Sequence, residues 1–312
     1  MFGGEDMSVW VDLNAVGFVA VQSAVTAEWI RTGAIHRVRR AVLGERAGTV
    51  RVMLVTGMLS MLLTNDAALI TVLSLLAPGA SRPHRVVLPC LVSANSVGAL
   101  TPLGNPQNAI VYSHYHIDPV DFFVTQLPVC AALLIPGLLY AWAHGERIES
   151  GSGPAPDVLD VTVVIAAAGC LLAHVPVYLW FPAVFGCYAV LRPHAVRQVD
   201  WVVIGMLTVG VLVPSVIGPL SWNPRIDDPF VWSVLLSQVV SNVPATVLVT
   251  PMTYDWRDLL HGVTVGGYGT PVASVANLIA LRAVGSHGVL RDYAVLQCSC
   301  LMLGTLSHYA LS

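Results

Sequence analysis

Apolar runs follow one another along nearly the whole chain, and they are of two kinds. Runs at 9–30, 122–143, 158–174, 177–191, 200–220 and 292–311 are continuous and predict helices near the roughly 20 residues that a bilayer crossing requires, with the central pair short. Four others carry polar or helix-breaking residues at their centres. Run 50–77 contains Thr64-Asn65-Asp66, and run 86–111 contains Leu103-Gly104-Asn105-Pro106-Gln107-Asn108. Run 230–252 contains Ser241-Asn242-Val243-Pro244, and run 258–281 contains Gly262 to Pro271, with four glycines and a proline.

In hydrocarbon every backbone N–H and C=O needs a partner, so a broken or re-entrant helix survives only inside protein or beside a wet cavity. Gly104 and Pro106 predict a break in 86–111, because proline removes a donor and clashes with the preceding turn. By the same reasoning the break in 258–281 is expected within Gly262–Pro271. Runs 50–77 and 230–252 read either as single spans or as helical hairpins that enter and return on one side. Asn65 or Asn242 would cap the second arm of such a hairpin, and Pro244 suits its first turn.

A mean hydropathy of +0.72 with 11% charged residues excludes an ordinary soluble domain, so an all-α integral membrane protein is expected. All 15 basic residues are arginine, scattered over loops, so nothing supports nucleic-acid binding. Their placement decides between the two topologies. With both ambiguous runs re-entrant, only Arg225 and Arg257 lie outside, against thirteen arginines on the cytoplasmic side. With both runs spanning, the division is nine against six. The re-entrant arrangement is therefore adopted. The first apolar run lacks the basic flank of a signal peptide and is read as retained.

That arrangement contains an internal repeat. Ser93–Ser113 aligns without gaps on Gly262–Arg282, pairing Gly98 with Gly267, Thr101 with Thr270, Pro102 with Pro271 and Asn108 with Asn277. Thr64-Asn65 pairs with Ser241-Asn242, and Val11-Asp12 with Val199-Asp200. The copies start on opposite sides of the membrane, and inverted repeats of this kind are a hallmark of secondary transporters. The expected units are 1–144, a first repeat with its hairpin at 50–77; 145–197, a linker and short scaffold helix pair; and 198–312, a second repeat with its hairpin at 230–252. The pair 158–191 precedes the second copy and has no counterpart before the first. Either helices lie upstream or the scaffold is a trimmed one.

Each hairpin tip starts a helix whose unpaired N–H groups and positive dipole end point to the membrane centre, an anion site without Lys or Arg. The expected substrate-binding residues are Thr64, Asn65, Ser93, Asn95, Gly104, Asn105, Asn108, Ser241, Asn242, Thr264, Thr270 and Asn277. Asp66 is an ionisable residue near the midplane, so Asp66, Asn65 and Asn242 are the expected ion-coupling residues. Val243 stands opposite Asp66 in the repeat. The six cysteines sit in apolar runs without CxxC spacing, and His114 and His116 lack a third ligand, so neither a metal nor a cofactor is expected. No Ser/His/Asp set, paired carboxylates or phosphate loop occurs at a recognisable spacing, so no enzyme is expected.

On Leu63-Thr64-Asn65-Asp66-Ala67-Ala68-Leu69, Leu100 to Asn108, Ser241-Asn242-Val243-Pro244-Ala245 and Gly262 to Thr270, the chain resembles the ion transporter superfamily. The nearest likeness is its anion-permease branch, related to arsenite efflux permeases and divalent-anion/sodium symporters. The resemblance covers roughly residues 10–312. It implies two inverted repeats, each with a re-entrant hairpin and a broken helix, a site at the hairpin tips, a homodimeric scaffold and alternating access. The expected activity is secondary transport of a small oxyanion or carboxylate across the inner membrane, coupled to protons or sodium. Sodium-coupled members carry Ser-Asn-Thr at both tips, and the departure at Asp66 and Val243 makes a proton at least as apt a coupling ion. The alternatives are arsenite or antimonite efflux, a cation/proton antiporter, and a non-transporting remnant.

Overall fold

The structure is a computed structural model. It describes residues 4–34, 46–73, 82–149, 156–199, 226–285 and 289–311, isolated positions between 200 and 208, and side chains from Leu13 onward. The expected helix at 200–220 lies outside the described residues apart from those isolated positions.

The protein is all-α. Its first helix, α1 (Gly4–Thr32), is followed by β1 (Arg46–Gly48), α2 (Thr49–Ser60), α3 (Asn65–Leu73), α4 (His84–Gly98), α5 (Pro106–Tyr115) and α6 (Pro119–His144). Then come β2 (Arg147–Glu149), α7 (Val158–Leu172), α8 (Val177–Leu191) and α9 (Pro193–Arg197). The last described stretch holds α10 (Pro229–Val240), α11 (Asn242–Val249), α12 (Trp256–Gly266), α13 (Val275–Val284) and α14 (Val289–Leu311). β1 and β2 form one short antiparallel ladder. Among the described residues, three helices are long and apolar enough to cross a membrane: α1 over Leu13–Thr32, α6 and α14.

Two of the centrally interrupted runs are pairs of helices with a tight turn between them. The turn at 61–64 separates α2 from α3, and Ser241 alone separates α10 from α11. The pairs open toward opposite ends of the molecule. Glu146, at the C-terminal end of α6, accepts from the backbone of Thr49 at the outer end of α2 (3.0 Å). Thr125, at the other end of α6, meets His261 Nε2 (2.9 Å). His308, late in α14, stacks on Phe230 at the outer end of α10, while Asp292, early in α14, accepts from Tyr140 near the end of α6 (2.7 Å).

The other two runs are broken helices, and the second break differs from the sequence expectation. α4 ends at Gly98 and α5 begins at Pro106, with proline in the first turn where no donor is missed. α12, however, continues as regular helix through Gly262 and Gly266, and the break falls at 267–274. A Cβ on Gly262 would lie 2.7 Å from Phe230 O, and one on Gly266 would lie 2.6 Å from Ser237 Oγ. These glycines serve close packing of α12 on α10, as small residues do between membrane helices, and do not break the helix. α2 meets α4 in the same way, with Gly57 against Ser93 and Gly98 against Ser60.

The core has three parts. α1 packs on α7 and α8, with Gly17 admitting Val177 and Trp180. α2, α4, α6, α13 and α14 share a second cluster around Met53, Leu88, Leu133 and Tyr268. A third joins α5, α6, α11 and α12 through Tyr112, Phe122, Val249 and Leu259. The ends of α1, α7 and α8 are tied by charge: Glu28, buried, pairs with Arg31 (2.6 Å) and lies 3.7 Å from Arg192, which also pairs with Asp157.

Candidate functional site

Each helix-pair turn is bound to one break. In the first half, Asn65 N donates to Gly104 O (2.8 Å), and Thr101 Oγ1 donates to Met61 O (2.7 Å). Asn65 Nδ2 donates to Asn95 Oδ1 (2.7 Å). The backbone of the turn is satisfied locally: Asn65 Oδ1 accepts from Asp66 N (2.9 Å), and Thr64 Oγ1 faces Ala67 N (3.4 Å). The residue capping α3 is therefore Thr64, while the Asn65 amide is spent on α4. Gly104 has no room for a side chain, since a Cβ would sit 2.1 Å from Gly98 O and 2.4 Å from Ser60 O.

In the second half Thr270 Oγ1 donates to Gln238 O (2.9 Å), and Ser241 Oγ reaches Ala273 O at 3.5 Å. Ser241 itself holds φ 76°, a conformation that non-glycine residues adopt only where surroundings enforce it. Asn242 lies against Gly267, where a Cβ would come within 2.9 Å of its Nδ2. Both breaks are closed by the same device. Asn108 Nδ2 donates to Ala99 O and Thr101 O (both 3.0 Å). Asn277 Nδ2 donates to Gly267 O (3.0 Å) and Thr270 O (3.2 Å).

The halves also interlock. α3 packs on α4 and on α13, while α11 packs on α12 and on α5. The helix that starts at each turn thus runs beside the far half of the opposite broken helix. Four helix N-termini, at Asn65, Pro106, Asn242 and Val275, belong to this region. The N-cap residues Asn105, Ser241 and Ser274 make no side-chain capping bond. First-turn N–H groups left without caps need other partners. Neither Lys nor Arg occurs in 61–66, 93–108, 238–246 or 262–277.

Several buried atoms here lack partners among the described residues: Asp66 Oδ1, Asn105 Oδ1, Asn108 Oδ1, Asn95 Nδ2 and Asn277 Oδ1. Four of the five are oxygens. A buried unpaired acceptor costs about 1–3 kcal/mol, so these sites call for water, a proton donor or a cation. Among the described residues no group of three or more His, Cys, Asp or Glu is placed to hold a metal ion.

Not every expected residue reaches the turn–break contacts. Ser93 faces Gly57 at the α2–α4 crossing. Thr264 accepts from Gln126 of α6 (2.7 Å). Thr270 does reach them, through its bond to Gln238 O, although its side chain is solvent-accessible. Conversely, glutamines carry much of the support. Gln238 Nε2 donates to Gly266 O and Tyr268 O (both 2.9 Å), and its Oε1 accepts from Thr270 N (2.9 Å). Gln297 Oε1 accepts from Gly269 N (3.2 Å), and Gln22 Nε2 donates to Leu62 O (2.7 Å). The signal for them was present: each is an amide within an apolar run.

A sequence profile described as citrate transporter (CitMHS) matches residues 1–262, most of the chain. The chain belongs to the citrate transporter family. It is a multi-pass membrane protein of the transporter class, and CitMHS lies within the ion transporter superfamily. Two relatives extend the match. The Inner membrane protein YbiR of Escherichia coli (strain K12) is 27% identical over 288 residues, covering 86% of this chain and 77% of its own length. The Uncharacterized transporter MJ0456 of Methanocaldococcus jannaschii is 28% identical over 254 residues, covering 75% of this chain and 69% of its own. The family match includes the first turn–break pair whole.

Proposed function

We propose that this protein is a secondary active transporter that carries a small carboxylate or oxyanion across the inner membrane by alternating access, driven by a proton or sodium gradient. The observation that carries the reading is the doubled turn–break arrangement: Asn108 on Thr101 O and Asn277 on Thr270 O, each beside a helix that begins at a turn. Two equivalent half-sites approached from opposite ends are the layout that alternating access requires. The arms are short: α2 and α10 have 12 residues each, about 18 Å, against the roughly 30 Å of hydrocarbon, which supports re-entry over spanning.

The uncapped first turns of α5, α11 and α13 supply N–H donors and the positive ends of helix dipoles, which suit a carboxylate without a basic side chain. The citrate description of the family favours a carboxylate within this class. Asp66, Asn105 and Asn108 offer unpaired oxygens for the coupling ion, a proton on Asp66 or a hard cation among the amide oxygens. The family resemblance further favours a homodimer.

The test is uptake by the purified protein in liposomes, with citrate, dicarboxylates, sulfate, phosphate, arsenite and sodium offered separately under imposed proton or sodium gradients. Saturable uptake of a carboxylate or oxyanion is expected, abolished by Asn65→Ala and by Asn242→Ala. Sodium/proton exchange without anion flux would replace this reading by an antiporter.

A further inference from the structure

α1 carries a polar face that neither helix packing nor the turn–break contacts explain. Gln22, Thr26 and Trp29 are spaced i, i+4, i+7, so they stand on one stripe of the helix. They are 1%, 7% and 8% exposed, all more than nine-tenths buried. Each keeps a polar atom with no partner among the described residues: Gln22 Oε1, Thr26 Oγ1 and Trp29 Nε1.

The stripe has a direction. Its upper end is fixed at the first turn, where Gln22 Nε2 donates to Leu62 O. From there it runs toward the end of α1, where Glu28 pairs with Arg31 and lies 3.7 Å from Arg192, just past α8. Toward the other end of α1 the same face continues through the buried Phe18 and Ala15, and Asn14 beside them accepts from Trp180 Nε1 (3.1 Å). An apolar stripe would have sufficed if this half of α1 were only packed. Three unmet polar atoms in a row are tolerated when a second state hydrates them. The chemistry of the occupant is constrained as well, because an indole N–H only donates and must meet an acceptor oxygen, from water or from an oxyanion or carboxylate.

We propose that the Gln22–Thr26–Trp29 face of α1 lines the hydrated route by which a small anionic solute and its water pass between the first turn and the membrane face where α1 ends. The structure describes that route closed, with Gln22 latching the turn to α1. The inference rests on the transport reading, and it adds residues on α1, outside both helix pairs and both broken helices, to the path.

The test is side-specific thiol labelling in the full chain with its native cysteines replaced by alanine. Single cysteines are introduced at positions 22, 26 and 29, and at 20 and 24 as comparators, since Ala20 and Ala24 are buried on the opposite face of α1. A membrane-impermeant methanethiosulfonate is applied from each side and followed by mass. Positions 26 and 29 should react from one side only, about ten times faster than 20 and 24, which open only by local unfolding. Reaction no faster than at 20 and 24, or from the opposite side of the membrane, overturns the proposal. The labelling needs no substrate, so labelling as expected with no flux in liposomes would sink the transport reading and leave the route standing. Trp29→Phe and Thr26→Val supply a second measurement. Both remove an unpaired polar atom, so thermal stability should hold or rise while flux falls several-fold. Unchanged flux in both would mean that these atoms are merely structural and would overturn the proposal.

Discussion

The side-chain amide of Asn65 donates to Asn95 Oδ1 across 2.7 Å, joining the first residue of α3 to the last turn of α4. Both residues are buried, and the bond fixes the first turn against the helix whose break it faces. Asn95→Ala removes the acceptor and leaves the Asn65 amide buried and unpaired. A loss of about 1–3 kcal/mol is expected, with a larger effect on transport than on folding, because the displaced residue lies at the half-site. Thermal unfolding in detergent and liposome uptake check this together. Full uptake by Asn95→Ala would deny the pair any part in the site.

Gly104 sets a harder limit. The atoms a Cβ would strike, Gly98 O and Ser60 O, are backbone and cannot rotate aside. Gly104→Ala is expected to separate the turn from the break at a cost of about 3 kcal/mol, the upper range for overpacking. Gly169→Ala is the control, since nothing lies within 4 Å of a Cβ there. Alanine at 169 should be neutral or slightly stabilising. Equal melting temperatures for the two variants would contradict the geometry.

How far the sequence revealed this site depended on what each residue does. Helix limits were legible where prolines and glycines interrupt apolar runs, as at Pro106, because those residues act on their own backbone. The second break begins late in the expected Gly262–Pro271, at Gly267, because Gly262 and Gly266 act on another helix: their role is contact with Ser233 and Ser237, which no local rule displays. Gln22 and Gln238 were overlooked for a related reason. Their partners are backbone carbonyls 40 and 28 or 30 residues away, and the fold alone brings these within reach. Asn108 and Asn277 were visible because the repeat states them twice.

Gln238 braces only the second break, where three of its bonds hold Gly266 O, Tyr268 O and Thr270 N. Met61, its counterpart in the first half, takes part through its carbonyl alone. Gln238→Leu keeps the volume and deletes all three bonds, so local opening of 267–274 should become easier by about 1–3 kcal/mol. Hydrogen exchange followed by mass spectrometry should speed up there and stay unchanged at 99–105. Equal acceleration at both breaks would show a global loss of stability.

His174 lies in the turn between α7 and α8, outside both helices, and stacks on Tyr112 with ring centroids 4.5 Å apart. His116 meets its edge at 5.3 Å, and Tyr112 OH donates to Leu172 O (2.7 Å), so this turn docks the α7–α8 pair on the end of α5. Burial holds the His174 pKa below the ordinary histidine value of 6.5, with the charge of His116 acting in the same sense and the Ile117 carbonyl opposing it. The folded state therefore binds this proton more weakly than the unfolded chain does, so stability rises with pH across the window just below 6.5 and is lost on acidification through it. Replacing His174 by Phe keeps a ring for stacking and removes the titration. Its melting temperature should be less sensitive to pH between about 5 and 7 than that of the native protein, as the linkage relation requires. A parallel pH dependence in the two proteins would assign the effect to other groups.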